Sequence, residues 1–205
     1  MHITASAAEL EYQVLKAHEV RPYLRAQAEL TVTVLKDFPY CYEPDGGADE
    51  EDIDCYYKST DTIMVGAWCN NELIGVVTGL PLEQFEDKPC GFYPEQLLGI
   101  LPQLQGYFYV ALLLIEKQYS HQGIGQRLMA MLEDAVRAAH KYSHMCALML
   151  ERNYQENPPP VTYDYYYERA YQRYFAQKGW MKHEPLIAYM ANTKPLMRLW
   201  SVVVE

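Results

Sequence analysis

Tyr119-Ser120-His121-Gln122-Gly123-Ile124-Gly125-Gln126-Arg127-Leu128 is the stretch on which the fold turns. It lies between an apolar run at residues 107–115 and an amphipathic run at residues 124–140. The first run has strand length and no polar face, which predicts a central strand buried on both sides. The second sets Ile124, Leu128, Met131, Leu132, Ala135, Val136 and Ala139 on one helical face, with Arg127, Glu133, Asp134 and Arg137 elsewhere. Residues 145–150 follow as another buried strand. The unit reads strand, glycine turn, helix, strand. A parallel pair joined by a helix sets the helix N-terminus at the carboxyl edge of the first strand.

Chemistry follows from that placement. Gly123 and Gly125 carry no Cβ, so the backbone can approach a ligand closely. The first amides of a helix lack partners within it, and the macrodipole adds partial positive charge. The turn therefore suits an anion, above all a phosphate. A dinucleotide fingerprint needs a third glycine where Leu128 stands. A mononucleotide loop needs Gly-Lys-Ser/Thr, which is absent. The pyrophosphate of coenzyme A remains.

Working outward, residues 12–18 read as a first strand and residues 21–37 as a helix, with Leu24, Ala28, Thr31, Val32 and Leu35 on one face. Residues 45–54 carry six carboxylates, a solvated loop and helix start or a substrate-attracting lip. Residues 62–69 and 73–79 read as a hairpin across Asn70-Asn71-Glu72. Residues 81–105 are irregular, with four prolines and a short helix at 95–100. Residues 157–162 form a proline-stiffened connector. Residues 165–178 read as a tyrosine-rich helix stopped by Gly179, and residues 186–190 and 200–204 as late strands. This order gives a mixed α/β (α+β) domain spanning residues 1–205.

Composition narrows the partners. Net charge is −10, and no basic cluster offers a face to nucleic acid or to an anionic membrane. The longest apolar run, residues 110–115, is too short to cross a bilayer. Cys41, Cys55, Cys69, Cys90 and Cys146 form no C-x-x-C pair and are odd in number, which predicts free thiols and no metal site. Free thiols, and a first segment unlike a signal peptide, point to the cytoplasm.

Residues 115–128 resemble the acetyl-CoA signature of the GNAT N-acetyltransferase superfamily. Gln122-Gly123-Ile124-Gly125 matches its core, and Ser120 stands where the signature has Gln or Arg. Tyr174-Phe175-Ala176-Gln177-Lys178-Gly179-Trp180 resembles the family's helix-closing aromatic, spacer and Gly-aromatic pattern. The resemblance covers roughly residues 60–190, with the cofactor-binding core at about 107–190. It implies a mostly antiparallel central sheet flanked by helices, with one splayed parallel strand pair. It also implies acetyl-CoA as co-substrate, an amine as acceptor, and transfer between them. The cofactor would be held by Leu113, Leu114 and Ile115 of the central strand and by Ser120, His121, Gln122, Gly123, Ile124, Gly125 and Gln126 of the turn.

Acetyl transfer needs a polarised carbonyl, an amine that loses its proton and a thiolate that gains one. Many family members use a tyrosine four residues before the helix-ending glycine as the thiolate's acid. Phe175 holds that position here, so Tyr174 is the candidate, with Tyr171 or no side-chain acid as alternatives. Glu116 and Glu151, at the carboxyl ends of the two buried strands, are candidate bases. The acceptor site is expected from the first helices and from residues 81–105 and 158–167. Tyr163, Tyr165, Tyr166 and Tyr167 form either an aromatic wall for the acceptor or a dimer contact. Late strands in such folds often pair across a dimer, so a homodimer is one candidate assembly. An acyl-CoA-binding module without turnover is the alternative function.

Overall fold

Apolar residues 107–115 form the middle of a seven-stranded sheet in the computed structural model, which describes residues 10–36, 50–85, 94–151, 166–187 and 196–204. The strands are β1 (Leu10–Lys16), β2 (Ile63–Cys69), β3 (Glu72–Pro81), β4 (Tyr107–Ile115), β5 (His144–Glu151), β6 (Met181–Ile187) and β7 (Leu196–Val203). Their order in the sheet is β1-β2-β3-β4-β5-β7-β6. Only β4 and β5 pair in parallel among these strands; every other neighbour is antiparallel. The expected mixed, mostly antiparallel sheet is therefore observed.

Among the described residues four helices flank the sheet: α1 (Leu24–Leu35), α2 (Glu50–Asp54), α3 (Ile124–Ala139) and α4 (Tyr166–Gln177). Pro22 in the three-ten turn Arg21–Tyr23 precedes α1, so that helix starts later than residue 21. Residues expected as a helix at 95–100 form a three-ten segment, Pro94–Gly99. Asn70 and Asn71 both have positive φ, 52° and 67°, which joins β2 to β3 by a two-residue turn. The late strands lie earlier than expected, at Met181–Ile187 and Leu196–Val203. Residues 45–49, 86–93 and 157–165, on which the acidic lip, part of the proline segment and the connector were expected, lie outside the described residues.

Two apolar layers cover the sheet. On one face, Leu24, Ala28 and Leu30 of α1 pack with Leu80, Tyr107, Tyr109 and Leu114. On the other, Leu128, Leu132 and Val136 of α3 pack with Val77, Phe108 and Ile115. Each of those three helix residues is fully buried, and each such burial stabilises by about 1.5–3 kcal/mol.

The alternation along β4 breaks once. Tyr107 and Tyr109 face the α1 layer, while Phe108 and Val110 face the α3 layer. Ala111 and Leu112 then both face the α1 layer, before Leu113 turns to the other. The register agrees, because Thr78 lies opposite Leu112 and Gly79 opposite Val110. Ala111 is thus the extra residue of a β-bulge. Pairing of β4 with β5 covers only Tyr107–Val110 against His144–Ala147. Beyond the bulge the two strands part, and among the described strands β4 keeps only its β3 neighbour on residues 112–115.

Candidate active site

β4 ends at Ile115, where the Glu116 N–H donates to the Ile74 carbonyl at 2.8 Å. A three-ten turn, Lys117–Tyr119, carries the chain round to the glycine loop. His121 has φ 65° and Gly123 has φ 80°, so two left-handed residues bend the loop before α3 starts. Gly123 is the N-cap of α3 and brings no side-chain cap to that end. Its carbonyl accepts the first helical bond, from Arg127 N–H at 3.0 Å. The first amides of α3 thus face outward, as an anion site requires.

The two glycines serve different needs. A Cβ built on Gly123 meets nothing within 4 Å among the described residues, so the loop there borders open space on their side. A Cβ on Gly125 would stand 2.8 Å from Ile115 Cδ1, so this glycine lets α3 lie close against β4. The same point lies 3.8 Å from the Tyr171 hydroxyl, on α4.

A half-open pocket of about 220 Å³ lies at this helix end. Its walls include Ile115, Ser120, His121, Gly123, Ile124, Gly125 and Gln126, seven of the ten residues expected to hold the cofactor. Gln122 is exposed and folds back, its Nε2 donating to the Gln118 carbonyl at 3.5 Å. Leu113 and Leu114 lie along the β4 edge that has left β5, not on the pocket wall. Tyr119, Met129, Ala170, Tyr171 and Tyr174 complete the pocket. Tyr119 also meets the Cys69 thiol, whose hydrogen bond leads in pushing its hydroxyl above the ordinary range. Cys69 and Cys146 are buried free thiols; Cys41 and Cys90 lie outside the described residues.

Tyr174 is buried, and its hydroxyl donates to Glu133 Oε1 at 3.0 Å. Burial first, then the Glu133 carboxylate, pushes that hydroxyl well above its ordinary pKa. Glu133 itself is only 4% exposed, against the expectation that it sits off the apolar face of α3. Its other oxygen lies 3.7 Å from Arg137 Nη1. The buried carboxylate is explained by a partner 41 residues away, which helical spacing alone does not reveal. Glu116 is half-buried beside the pocket, and its Oε1 accepts from Gln118 Nε2 at 2.7 Å. Glu151 is the last residue of β5, opposite Leu196. The two candidate bases therefore stand at the ends of the strands that part.

A sheet that opens beyond a bulge, with a glycine-capped helix at the opening, defines the class. Residues 28–158 match the acetyltransferase (GNAT) family, and the chain belongs to that family. The fold is similar to that of the ribosomal-protein-S18-alanine N-acetyltransferase from Escherichia coli, with 8% identity, a TM-score of 0.61, and coverage of 96% of this chain and 95% of that one. It is similar also to an acetyltransferase of the GNAT family from Streptococcus pneumoniae (13% identity, TM-score 0.62, 96% and 100% coverage). A third similar structure is yncA from Salmonella typhimurium, solved with its cofactor acetyl-CoA (10% identity, TM-score 0.62, 96% and 94% coverage). At such identities the likeness is one of fold. No curated protein matches the sequence significantly. No described helix is long and apolar enough to cross a membrane.

Proposed function

We propose that this chain, as a single domain over residues 1–205, is an N-acetyltransferase that moves an acetyl group from acetyl-CoA to a primary amine. The observation that carries the reading is the pocket at the Gly123-capped end of α3, beside the opening between β4 and β5. The residues present fit acetyl-CoA. Open space over Gly123 admits a phosphate to the helix amides. The β4 edge released at Ala111 offers backbone groups at Leu113, Leu114 and Ile115 to an amide-bearing arm. When bound, acetyl-CoA supplies an activated acetyl group. Ser120, His121, Gly123, Ile124, Gly125 and Gln126 hold its phosphates, with Gln122 at the outer edge of the turn.

Glu116 or Glu151 takes the amine's proton, directly or through a water. A tyrosine of α4, Tyr174 or Tyr171, returns a proton to the departing thiolate. The acceptor arrives from the α1 side of the sheet. Acidity of the chain, with net charge −10, suits a cationic amine and not a nucleic acid. Exposed Met181 and Val203 on β6 and β7 fit a homodimer through the late strands, which light scattering tests. A cytoplasmic location belongs to the same proposal.

One observation favours a second reading, an acyl-CoA-binding module without turnover: the Tyr174 hydroxyl is committed to Glu133. Thermal shift with acetyl-CoA, CoA and ADP, followed by an amine panel read by thiol release, separates the two. A ligand at a hundred times its Kd adds about 2.7 kcal/mol, or roughly 5–11 °C for a chain of this size. Shift with amine-dependent thiol release supports transfer. Shift without release across the panel supports the binding module. No shift with either CoA species sinks both.

A further inference from the structure

Glu133 is a carboxylate on the buried face of α3, flanked by Leu132, Met129 and Val136, with half-exposed Arg137 at its outer edge 3.7 Å from its second oxygen. Burying a charge is costly, and a well-packed apolar pair at the same place would stabilise as well or better. Stability alone therefore does not account for Glu133 and Tyr174, which are 4% and 5% exposed and joined at 3.0 Å.

The place of the bond in the fold does account for it. α4 is fixed to the sheet by Phe175, which stacks on Trp180 at 4.4 Å and tilts against Trp200 at 5.6 Å. One such anchor leaves the helix free to roll. Tyr174 lies about 100° round the helix from Phe175 and reaches α3 instead. The two anchors together set the rotation of α4. Tyr171, three residues before Tyr174, shares its face, and its hydroxyl lies over Gly125 in the first turn of α3. Ala170, Tyr171 and Tyr174 form the α4 wall of the pocket. A hydrogen bond is directional where an apolar contact is not, so it fixes this wall in one register.

We propose that the Glu133–Tyr174 bond is the positioning device of this pocket. It sets the roll of α4 so that Tyr171 faces the cofactor across the glycine turn. Tyr174 and Glu133 are then positioning residues, acting through Tyr171 and the pocket wall. The inference rests on the pocket being the acetyl-CoA site.

Calorimetric titration of the full chain with acetyl-CoA tests it, with melting temperature measured alongside. Tyr174→Phe and Glu133→Leu each weaken binding about tenfold, and the double variant is no weaker than either, because both remove one interaction. Glu133→Gln keeps a carbonyl to accept the Tyr174 proton and stays within about twofold of the unaltered chain. Leu15→Ala, buried at the far edge of the sheet on the other face, lowers the melting temperature but leaves affinity unchanged. Tyr174→Phe and Glu133→Gln alone decide the matter if Glu133→Leu does not fold. The inference is overturned if Tyr174→Phe binds as the unaltered chain does, or if Glu133→Gln is as weak as Tyr174→Phe. An unaltered chain that binds no acetyl-CoA overturns the pocket reading, and this inference with it.

Discussion

Asparagine and aspartate at position 123 make a matched pair that isolates the charge at the helix end. Gly123 has φ 80° and ψ 2°, and a Cβ there meets nothing within 4 Å. Asn and Asp tolerate the left-handed region better than other side chains, so neither variant clashes and both carry a similar strain, about 1 kcal/mol. They differ by one charge. Asp at a helix N-cap favours the helix, by about 0.3–1 kcal/mol through the macrodipole, so Gly123→Asp melts no lower than Gly123→Asn. Binding moves the other way. A carboxylate about 5 Å from a seated phosphate, at an effective dielectric near 20, is repelled by about 3 kcal/mol per phosphate charge. That is on the order of a hundredfold in affinity. Titration with acetyl-CoA should show Gly123→Asn a few-fold weaker than the unaltered chain and Gly123→Asp weaker again by about a hundredfold. Salt should narrow the gap, since the loop is exposed and screening shortens the reach of the charge. Equal affinities for the two variants at low salt would refute the reasoning, because no anion could then lie at that helix end.

Three further outcomes are expected. Tyr57→Phe breaks the buried ring in which Tyr57 donates to Gln27 Oε1, Gln27 Nε2 donates to Thr78 Oγ1 at 3.4 Å, and Thr78 Oγ1 lies 3.0 Å from Tyr57 Oη; urea unfolding should show a loss of about 1–3 kcal/mol. A loss under about 0.3 kcal/mol would mean that the ring contributes nothing. Gly79→Ala puts a Cβ 2.4 Å from Phe108 Cε1 and 2.9 Å from the Tyr109 carbonyl, so overpacking should cost about 3 kcal/mol or more by the same measurement. Burial holds the His183 pKa below its ordinary value of 6.5, so the unfolded chain binds more protons just below that pH. Stability from this group is present above pH 6.5 and falls as pH drops towards the folded pKa; His183→Gln should flatten the melting temperature between about pH 5 and 7, and an unchanged slope would exclude His183 as its source.

Much of the fold was legible because local signals agreed. The apolar run at 107–115, the glycine turn and the periodic run after it specify strand, cap and helix without any distant contact. Asn70-Asn71 marks a hairpin by itself, since both residues accept positive φ. What escaped was decided by partners far off in the chain. Glu133 reads as a surface charge until Tyr174 is brought beside it. β6 runs from Met181, although Lys182, His183 and Glu184 look like a polar loop, because an edge strand leaves one side in water. Pro185 fits there for the same reason, next to a register shift. The bulge at Ala111 has no glycine or proline of its own to announce it. Its cause sits on the neighbouring strand.

Gly79 is that cause, and it joins the bulge to the pocket. With no side chain at 79, Phe108 and the Tyr109 carbonyl come close to β3, and the register of the two strands shifts there. The extra residue that the shift admits is Ala111, one position beyond the last contact with β5. A flat continuation of the parallel pair would have consumed in sheet bonds the backbone groups of residues 111–115 that point away from β3. The bulge leaves them facing the opening instead. Four residues after the bulge, β4 ends in Ile115, whose Cδ1 fills the space that a side chain at 125 would need. One strand therefore carries two consequences of missing side chains. Gly79 opens the sheet, and Gly125 lets the helix end come down onto the strand that was opened. Gly123 is left to face outward, and so the proposed phosphate cradle and the open strand edge come to lie at one end of the same strand.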